Sequence, residues 1–262
     1  MPIILIFFIT HWYLTIFIHT FFLHRYAAHQ HWTMSQPVER FFHFMSWVIT
    51  GSAYLSPFAY GVMHRIHHAY TDTEKDPHSP QYHGNIFNMM WQTRQTYFGI
   101  WKGTVPVDEK FKTGVPQWSA FEPFAHHYAV RISWIVLYIL FYAAFVTAPW
   151  QWLLLPATIV MSPLHGAIIN WFSHRVGYVN YKMKNTSTNM MPVDFFFMGE
   201  VFHNNHHKAP SRPNLGFRKF EFDPLWPIVL TLEKLRMIRI NRVHTTPPAI
   251  DGPGYRSDAA TA

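Results

Sequence analysis

Ile132–His174 reads ISWIVLYILFYAAFVTAPWQWLLLPATIVMSPLHGAIINWFSH, 43 consecutive residues without a Lys, Arg, Asp or Glu, closed on either side by Arg131 and Arg175. About 20 apolar residues cross a bilayer. This stretch therefore predicts two spans, about 132–148 and 152–173, joined by a short turn near Ala148, Pro149 and Trp150. Trp150 and Trp152 suit the membrane interface at such a turn. Residues 2–23 form another uncharged apolar run. It lacks a basic leader and a small-residue cleavage site, and a histidine pair opens at its end, so it reads as a third span rather than a signal peptide. Aromatics make up 18% of the chain and charged residues 13%, against about 25% charged in soluble domains. The fold class expected is an all-α integral membrane protein of three or four transmembrane helices.

Polar residues of one kind collect beside these spans. His24 and His29 follow the first; His64, His67 and His68 form one H-x-x-H-H string and His203, His206 and His207 a second; His174 closes the last span. On a helix, residues i, i+3 and i+4 share a face. Two imidazoles of each string can then reach one metal while the third turns to a neighbour. His24 and His29 are five apart, about 140° around an α-helix, so that pair needs a helix end or a bend. Asn170 and His174, at i and i+4, put an amide and an imidazole on one face. First-row metals take four to six ligands, so nine histidines point to two ions. Histidines outside these clusters, His11, His19 and His165 among them, read as structural. The chain has no Cys, which excludes disulfides, thiolate metal sites and iron–sulfur clusters. Zinc has no redox chemistry and needs fewer ligands. Two irons fit the donor set better, and iron pairs attack C–H bonds that no side chain can.

Residues 41–62 are apolar enough to suggest another span, but geometry argues against it. If the clusters meet, His29 and His64 lie on the same side of the membrane, and the 34 residues between them are too few for two crossings. This segment is expected to lie in the interface or to dip in and return. All 21 Lys and Arg fall on the histidine side: none precedes Arg25 and none lies at 148–152. The positive-inside rule makes that side cytoplasmic, and the net charge of +7 then reports orientation and contact with membrane lipid. No nucleic-acid module accompanies it. A single domain is expected over 1–244, with a cytoplasmic helical cap, helical periodicity over Leu225–Ile240 and a disordered tail over 245–262.

These strings resemble the membrane fatty acid desaturases, in particular the stearoyl-CoA (acyl-CoA Δ9) desaturase-like branch. The likeness rests on H-x4-H at 24–29, on His64-Arg-Ile-His67-His68 followed by Asp72-Thr-Glu-Lys-Asp76-Pro77-His78, on Asn170-x3-His174, and on Gly199-Glu200-Val-Phe-His203-Asn-x-His206-His207. It covers roughly residues 1–240. The resemblance implies O2-dependent insertion of a cis double bond, often Δ9, into a saturated acyl chain. It implies two irons held by His24, His29, His64, His67, His68, His174, His203, His206 and His207, with Asn170 binding through a water and no catalytic side chain beyond the ligands. Asp72, Asp76, His78 and Glu200 would orient ligating imidazoles. The stretch after the second string, Ser79-Pro-Gln-Tyr-His-Gly-Asn-Ile-Phe, is not the basic run of the acyl-CoA enzymes, so acyl-CoA, acyl-lipid and acyl-carrier-protein substrates stay open. No His-Pro-Gly-Gly segment of the cytochrome b5 kind occurs, so electrons are expected from a separate carrier of ferredoxin, rubredoxin or cytochrome b5 type. The competing readings are a di-iron hydroxylase acting on lipid or alkane, and a metal-binding membrane protein without catalysis.

Overall fold

Charge-free apolar sequence folds where expected. In the computed structural model, which describes residues 3–241, 246–251 and 255–256, helix α1 (Ile3–Ile18) runs without a break into a π-helical segment, His19–Ala28. Together these 26 residues reach about 39 Å, enough for a hydrocarbon core of about 30 Å. Strand β1 (Trp32–Met34) follows, then α2 (Gln36–Thr50), α3 (Pro57–Tyr70), α4 (Ile86–Lys102), and the short α5 (Glu109–Lys112) and α6 (Glu122–His126). Helix α7 (Tyr128–Phe145) is the second long apolar helix. A 3-10 turn (Pro149–Leu154) leads into α8 (Leu155–Ile159) and α9 (Met161–Phe172). The remainder packs as a cap: β2 (Tyr178–Val179), α10 (His203–Lys208), α11 (Leu225–Lys234), β3 (Ile238–Ile240) and β4 (Tyr255–Arg256). β1 pairs antiparallel with β3, and β2 with β4.

The span expected over 152–173 is not one straight helix: the 3-10 turn continued by α8, Pro149–Ile159, meets α9 at 77°. Pro163 explains the break. A proline has no N–H, so the carbonyl four residues back loses its helical partner. That carbonyl belongs to Ile159, and it accepts instead from Ser52 Oγ at 2.7 Å.

Ser52 sits at the tip of a hairpin. Helices α2 and α3 hold 15 and 14 residues, about 22 Å each, too short to cross a bilayer. Helix α2 runs back along α1, Phe42 meeting Phe21 at 4.8 Å. The chain turns at 51–56, and α3 returns with Tyr60 Oη against His19 Nε2 at 3.1 Å. The turn is fixed from α7. Arg131 donates to the carbonyls of Ser52 and Tyr54, both at 2.8 Å. Gly51 has φ +52°, and a Cβ there would lie 2.1 Å from Tyr138 Oη, so only glycine fits. The apolar stretch 41–62 thus folds as a hairpin of two helices, neither long enough by itself to cross a bilayer.

Helices α1 and α7 leave apolar side chains outside: Ile132 is 56% exposed and Leu140 60%, with Ile6 and Ile9 on α1 also exposed. A belt of this kind on two long apolar helices is a lipid-facing surface, and the chain is a membrane protein. The cap core gathers Phe21, Trp32, Phe42, Leu225, Val229, Ile238 and Ile240. Here the helical expectation for Leu225–Ile240 fails past Lys234. Arg236 adopts φ +60°, and Ile238 and Ile240 then alternate inward at period two against β1, a strand pattern. Within the tail expected to lack structure, residues 246–251 lie on the cap: Tyr181 Oη donates to the Pro248 carbonyl at 2.8 Å and Asp251 N to that of Asn180 at 3.2 Å. Pro2, which opened the first span, His244, and tail residues 245, 252–254 and 257–262 lie outside the described residues.

The hairpin makes a labelling prediction, because the native chain has no Cys. In sealed, oriented vesicles, Gln36→Cys and Thr73→Cys should react with an impermeant thiol reagent from one side only. Thr147→Cys, exposed at the α7–α8 turn, should react only from the other. Opposite labelling of positions 36 and 73 would show that 41–62 crosses the bilayer.

Candidate metal centre

The nine clustered histidines arrive on four pieces of backbone, each shaped for the purpose. A π-turn closes its hydrogen bond from i to i+5, and His29 N donates to the His24 carbonyl at 3.2 Å. Residues five apart therefore stack on one face, and the two rings lie 5.0 Å apart. Of the helix end or bend anticipated, the structure has the first: His29 caps the end of the π segment, whose looser winding brings it over His24. Helix α3 carries His64, His67 and His68. Its start is capped by Ser56 Oγ, which accepts from Ala59 N at 3.2 Å. Arg65 ties it to the π segment and to the loop after α5, donating to the carbonyls of Ala28 and Thr113, each at 2.7 Å. His174 follows the end of α9. Helix α10 is only six residues long, below the length that holds by itself, and an amide network holds it. Asn204 N donates to Asn189 Oδ1 at 3.0 Å. Asn205 Nδ2 donates to Glu221 at 2.8 Å and to the Leu215 carbonyl at 2.9 Å, and Asn180 Nδ2 to Asn205 Oδ1 at 2.7 Å.

The rings meet in two adjacent groups. His24, His29, His64, His68 and His206 form one; His67, His174, His203 and His207 form the other. The H-x-x-H-H strings are shared crosswise. The first and last histidine of α3 enter the five-membered group and the middle one enters the four-membered group. On α10 the assignment is reversed. Nε2 atoms stand tip to tip: His29–His64 at 2.9 Å, His64–His68 at 3.0 Å, His68–His206 at 2.8 Å and His206–His24 at 3.0 Å. In the second group His174–His203 is 3.1 Å, His203–His207 3.0 Å and His207–His67 3.2 Å.

A neutral imidazole nitrogen offers one proton or one lone pair, never both. Four consecutive contacts among five nitrogens cannot then form a hydrogen-bond chain. Moreover, carboxylates fix several protons on the outer nitrogen. His24 Nδ1 faces Glu200 at 2.7–2.8 Å, His67 Nδ1 faces Asp76 at 2.9 Å, and His174 Nδ1 faces Asp72 at 3.3 Å. An ionised carboxylate can only accept, so each of these rings donates from Nδ1 and turns a bare Nε2 lone pair inward. The remaining charges agree. Burial raises the Glu200 carboxyl, but His24, Arg25 and Thr20 outweigh it and hold it at about 2. Burial likewise acts upward on Asp72, yet His174, Thr186 and Ser79 keep it below the usual range. Asp76 is raised, burial outweighing His78 and the backbone N–H groups of His78 and Asp72. Burial, then the neighbouring rings, keeps His29, His64, His68, His203, His206 and His207 well below the usual imidazole value, and His67 is lowered to about 3.

Neutral imidazoles with converging lone pairs suit a cation. With metal–nitrogen bonds of about 2.1 Å, ligands at right angles stand about 3.0 Å apart and tetrahedral neighbours about 3.4 Å. The tip distances match the former, and five nitrogens in one group exceed zinc's usual four. The five-nitrogen group therefore fits a five- or six-coordinate first-row ion, and the four-nitrogen group supplies four of the ligands that such an ion takes.

The other expected residues surround these groups. Asn170 lines a cavity of about 10 Å³ with Tyr60, His64, Glu200 and His203, room for about one water. His78 lies 4.3 Å from the His67 ring; with His67 and Asp76 it forms a third cluster of ligand-type atoms that shares His67 with the four-histidine group. Sequence reasoning missed the supports. Arg25, wholly buried, pairs with Asp223 at 2.7 Å and donates to the carbonyls of Met198 and Pro213. Asn180, Asn189, Asn205 and Glu221 hold α10. The signal was present: Arg25 adjoins His24, and Asn204-Asn205 lies inside the last string. His19 also reaches the cavity edge, where a structural role alone had been expected.

The family comparison agrees with this arrangement. The fatty acid desaturase family model matches residues 1–227, and the chain belongs to that family. Among its relatives, the Delta-9 desaturase-like 5 protein of Arabidopsis thaliana is 28% identical over 75% of this chain and 66% of its own length. The Delta-9 acyl-lipid desaturase 2 of the same plant is 30% identical over 65% and 53%. The sn-1 stearoyl-lipid 9-desaturase of Anabaena variabilis is 25% identical over 66% and 60%. The chain spans about half to two thirds of the length of these relatives.

Replacing an outer carboxylate tests the assignment of lone pairs. Asp76→Asn keeps the shape but no longer fixes the His67 tautomer. It should weaken metal retention about 10–100-fold, as read by metal content after graded chelation. Retention equal to wild type would remove Asp76 from the centre.

Proposed function

We propose that this protein is an O2-dependent di-iron desaturase that inserts a cis double bond at Δ9 of a saturated acyl chain. The observation that carries the reading is the pair of adjacent imidazole groups, nine neutral nitrogens on a lipid-embedded frame. One iron would be held by His24, His29, His64, His68 and His206, the other by His67, His174, His203 and His207, with Asn170 reaching the second through a water. Iron so held supplies O2 activation and removal of hydrogen from an unactivated C–H bond.

The chain's own groups do the rest. Glu200, Asp76 and Asp72 hold protons on the outer nitrogens of His24, His67 and His174, which keeps the inner lone pairs available. The burial of the groups excludes bulk water from a reactive centre. A position at the span ends suits a substrate whose chain lies in the bilayer. The acyl carrier on this reading is a membrane lipid: the relatives named for a carrier are acyl-lipid enzymes, and the Ser79–Phe87 stretch has no Lys or Arg with which to grip a nucleotide's phosphates. Electrons come from a separate one-electron carrier. Three crossings, by α1, by α7 and by the bent pair α8–α9, return the metal groups to one side, and the distribution of Lys and Arg makes that side cytoplasmic.

Expression in a host lacking Δ9 unsaturation should produce a new monounsaturated chain in membrane lipid, its cis double bond located by ozonolysis or mass spectrometry. His67→Ala, present in the membrane at equal level, should produce none. A hydroxylated chain in place of the alkene would instead identify a hydroxylase.

A further inference from the structure

Helix α1 carries a polar stripe that the metal groups do not use. His11, Thr15 and His19 recur at i, i+4 and i+8, about 6 Å apart along one face, and all three are buried. Helix α9, which packs on α1, answers with Ser162 and His165, 1% and 0% exposed; His165 stands against the Trp12 ring at 4.3 Å. Among these five side chains, His11 Nε2, Thr15 Oγ, His19 Nδ1, Ser162 Oγ and both nitrogens of His165 have no hydrogen-bond partner. An unsatisfied buried polar group is destabilising, and six in one seam would offset a large part of a domain's stability. Polar residues inside membrane spans are kept where they serve a path or a site. This seam has a direction. Its upper end, His19, bonds Tyr60 Oη at 3.1 Å, and both line the small cavity with Gly166, Asn170 and His203. Its lower end closes against Phe7 and Tyr138, whose rings lie 5.5 and 5.6 Å from His11.

We propose that the α1–α9 seam is an internal water-binding site that opens into the cavity beside Asn170. Its ligand is water, bound by the hydroxyls of Thr15 and Ser162 and by the imidazoles of His11, His165 and His19. Its use rests on the desaturase reading. In that reaction two C–H bonds and the O–O bond break, a carbon–carbon π bond and four O–H bonds form, and two waters leave. The substrate supplies two electrons and two protons as its two hydrogens, the one-electron carrier supplies two further electrons, and two protons must come from water-borne donors. The cavity has room for about one water, and the unpartnered polar atoms of the adjoining seam offer partners for more.

X-ray radiolytic footprinting of the protein in nanodiscs tests the site without catalysis, since a buried side chain is oxidised only where bound water beside it supplies the hydroxyl radical. His11 and His165, 6% and 0% exposed, should be modified several times faster than Trp32, a ring 1% exposed in the cap core. Modification no faster than Trp32 overturns the proposal. His165→Leu gives a second measure. A dry seam would be relieved of two orphaned nitrogens, so a higher Tm with unchanged labelling at His11 would count against bound water. A hydrated seam should lose labelling at His11 without a gain in Tm, and the alkene-forming rate should fall with an increased solvent deuterium isotope effect. Fast labelling in a protein that makes no alkene would leave the water site standing and refute the desaturase reading instead.

Discussion

Everything in this molecule follows from a rule about protons: nine imidazoles, six buried and three half-buried, can point at two small volumes only if none brings a charge or an inward N–H. The rings satisfy it by desolvation, which disfavours the imidazolium, and by three carboxylates that hold protons on the far nitrogen. Those carboxylates are themselves buried and need donors. Glu200 is held by Thr20 and His24, with Arg25 close by; Asp72 by Ser79 and Thr186; Asp76 by two backbone N–H groups. These donors come mostly from beside the histidines in the chain, Thr20 and Arg25 on the π segment and Ser79 after α3, while Thr186 reaches Asp72 from the region after β2.

Bringing the rings together sets the course of the backbone. Strings far apart in sequence must end at one depth, which forbids an odd number of crossings between them. The α2–α3 hairpin is the resulting compromise. Its apolar residues lie against α1 and α7, and its tip is fixed by two carbonyl contacts from Arg131 and by Gly51 beneath Tyr138. The same tip stabilises the break between α8 and α9, where Ser52 takes up the carbonyl that Pro163 leaves free. One turn thereby ties the return of the second histidine string to the bend of the last apolar pair.

The parts of this design visible in the sequence were those governed by periodicity and charge. The runs at 2–23 and 132–174, the i, i+3, i+4 strings, and the shared side of His29 and His64 all follow from spacing. The winding of His19–Ala28 did not, because hydropathy is blind to whether a helix closes at i+4 or i+5; only the five-residue interval hinted at it. The bend at Val160 was hidden because Pro156 and Pro163 look alike in sequence, and their effect depends on who takes the freed carbonyl. Ile238 and Ile240 fit a helical stripe and a strand equally well, and the left-handed turn at Arg236 decides between them. The supports, Arg25 with Asp223 and the Asn–Glu221 network, depend on partners 16 to 198 residues away, a distance at which spacing carries no information.

The crosswise sharing of α3 and α10 has a thermodynamic consequence. Each helix contributes to both imidazole groups, so an ion seated in either one immobilises backbone that the other also needs. The entropy of ordering α10, a six-residue helix with little stability of its own, is then spent once for two binding events. Occupancy should be cooperative, with singly filled molecules scarce and the empty and doubly filled forms dominating. A centre that needs both ions would in this way seldom hold a single one.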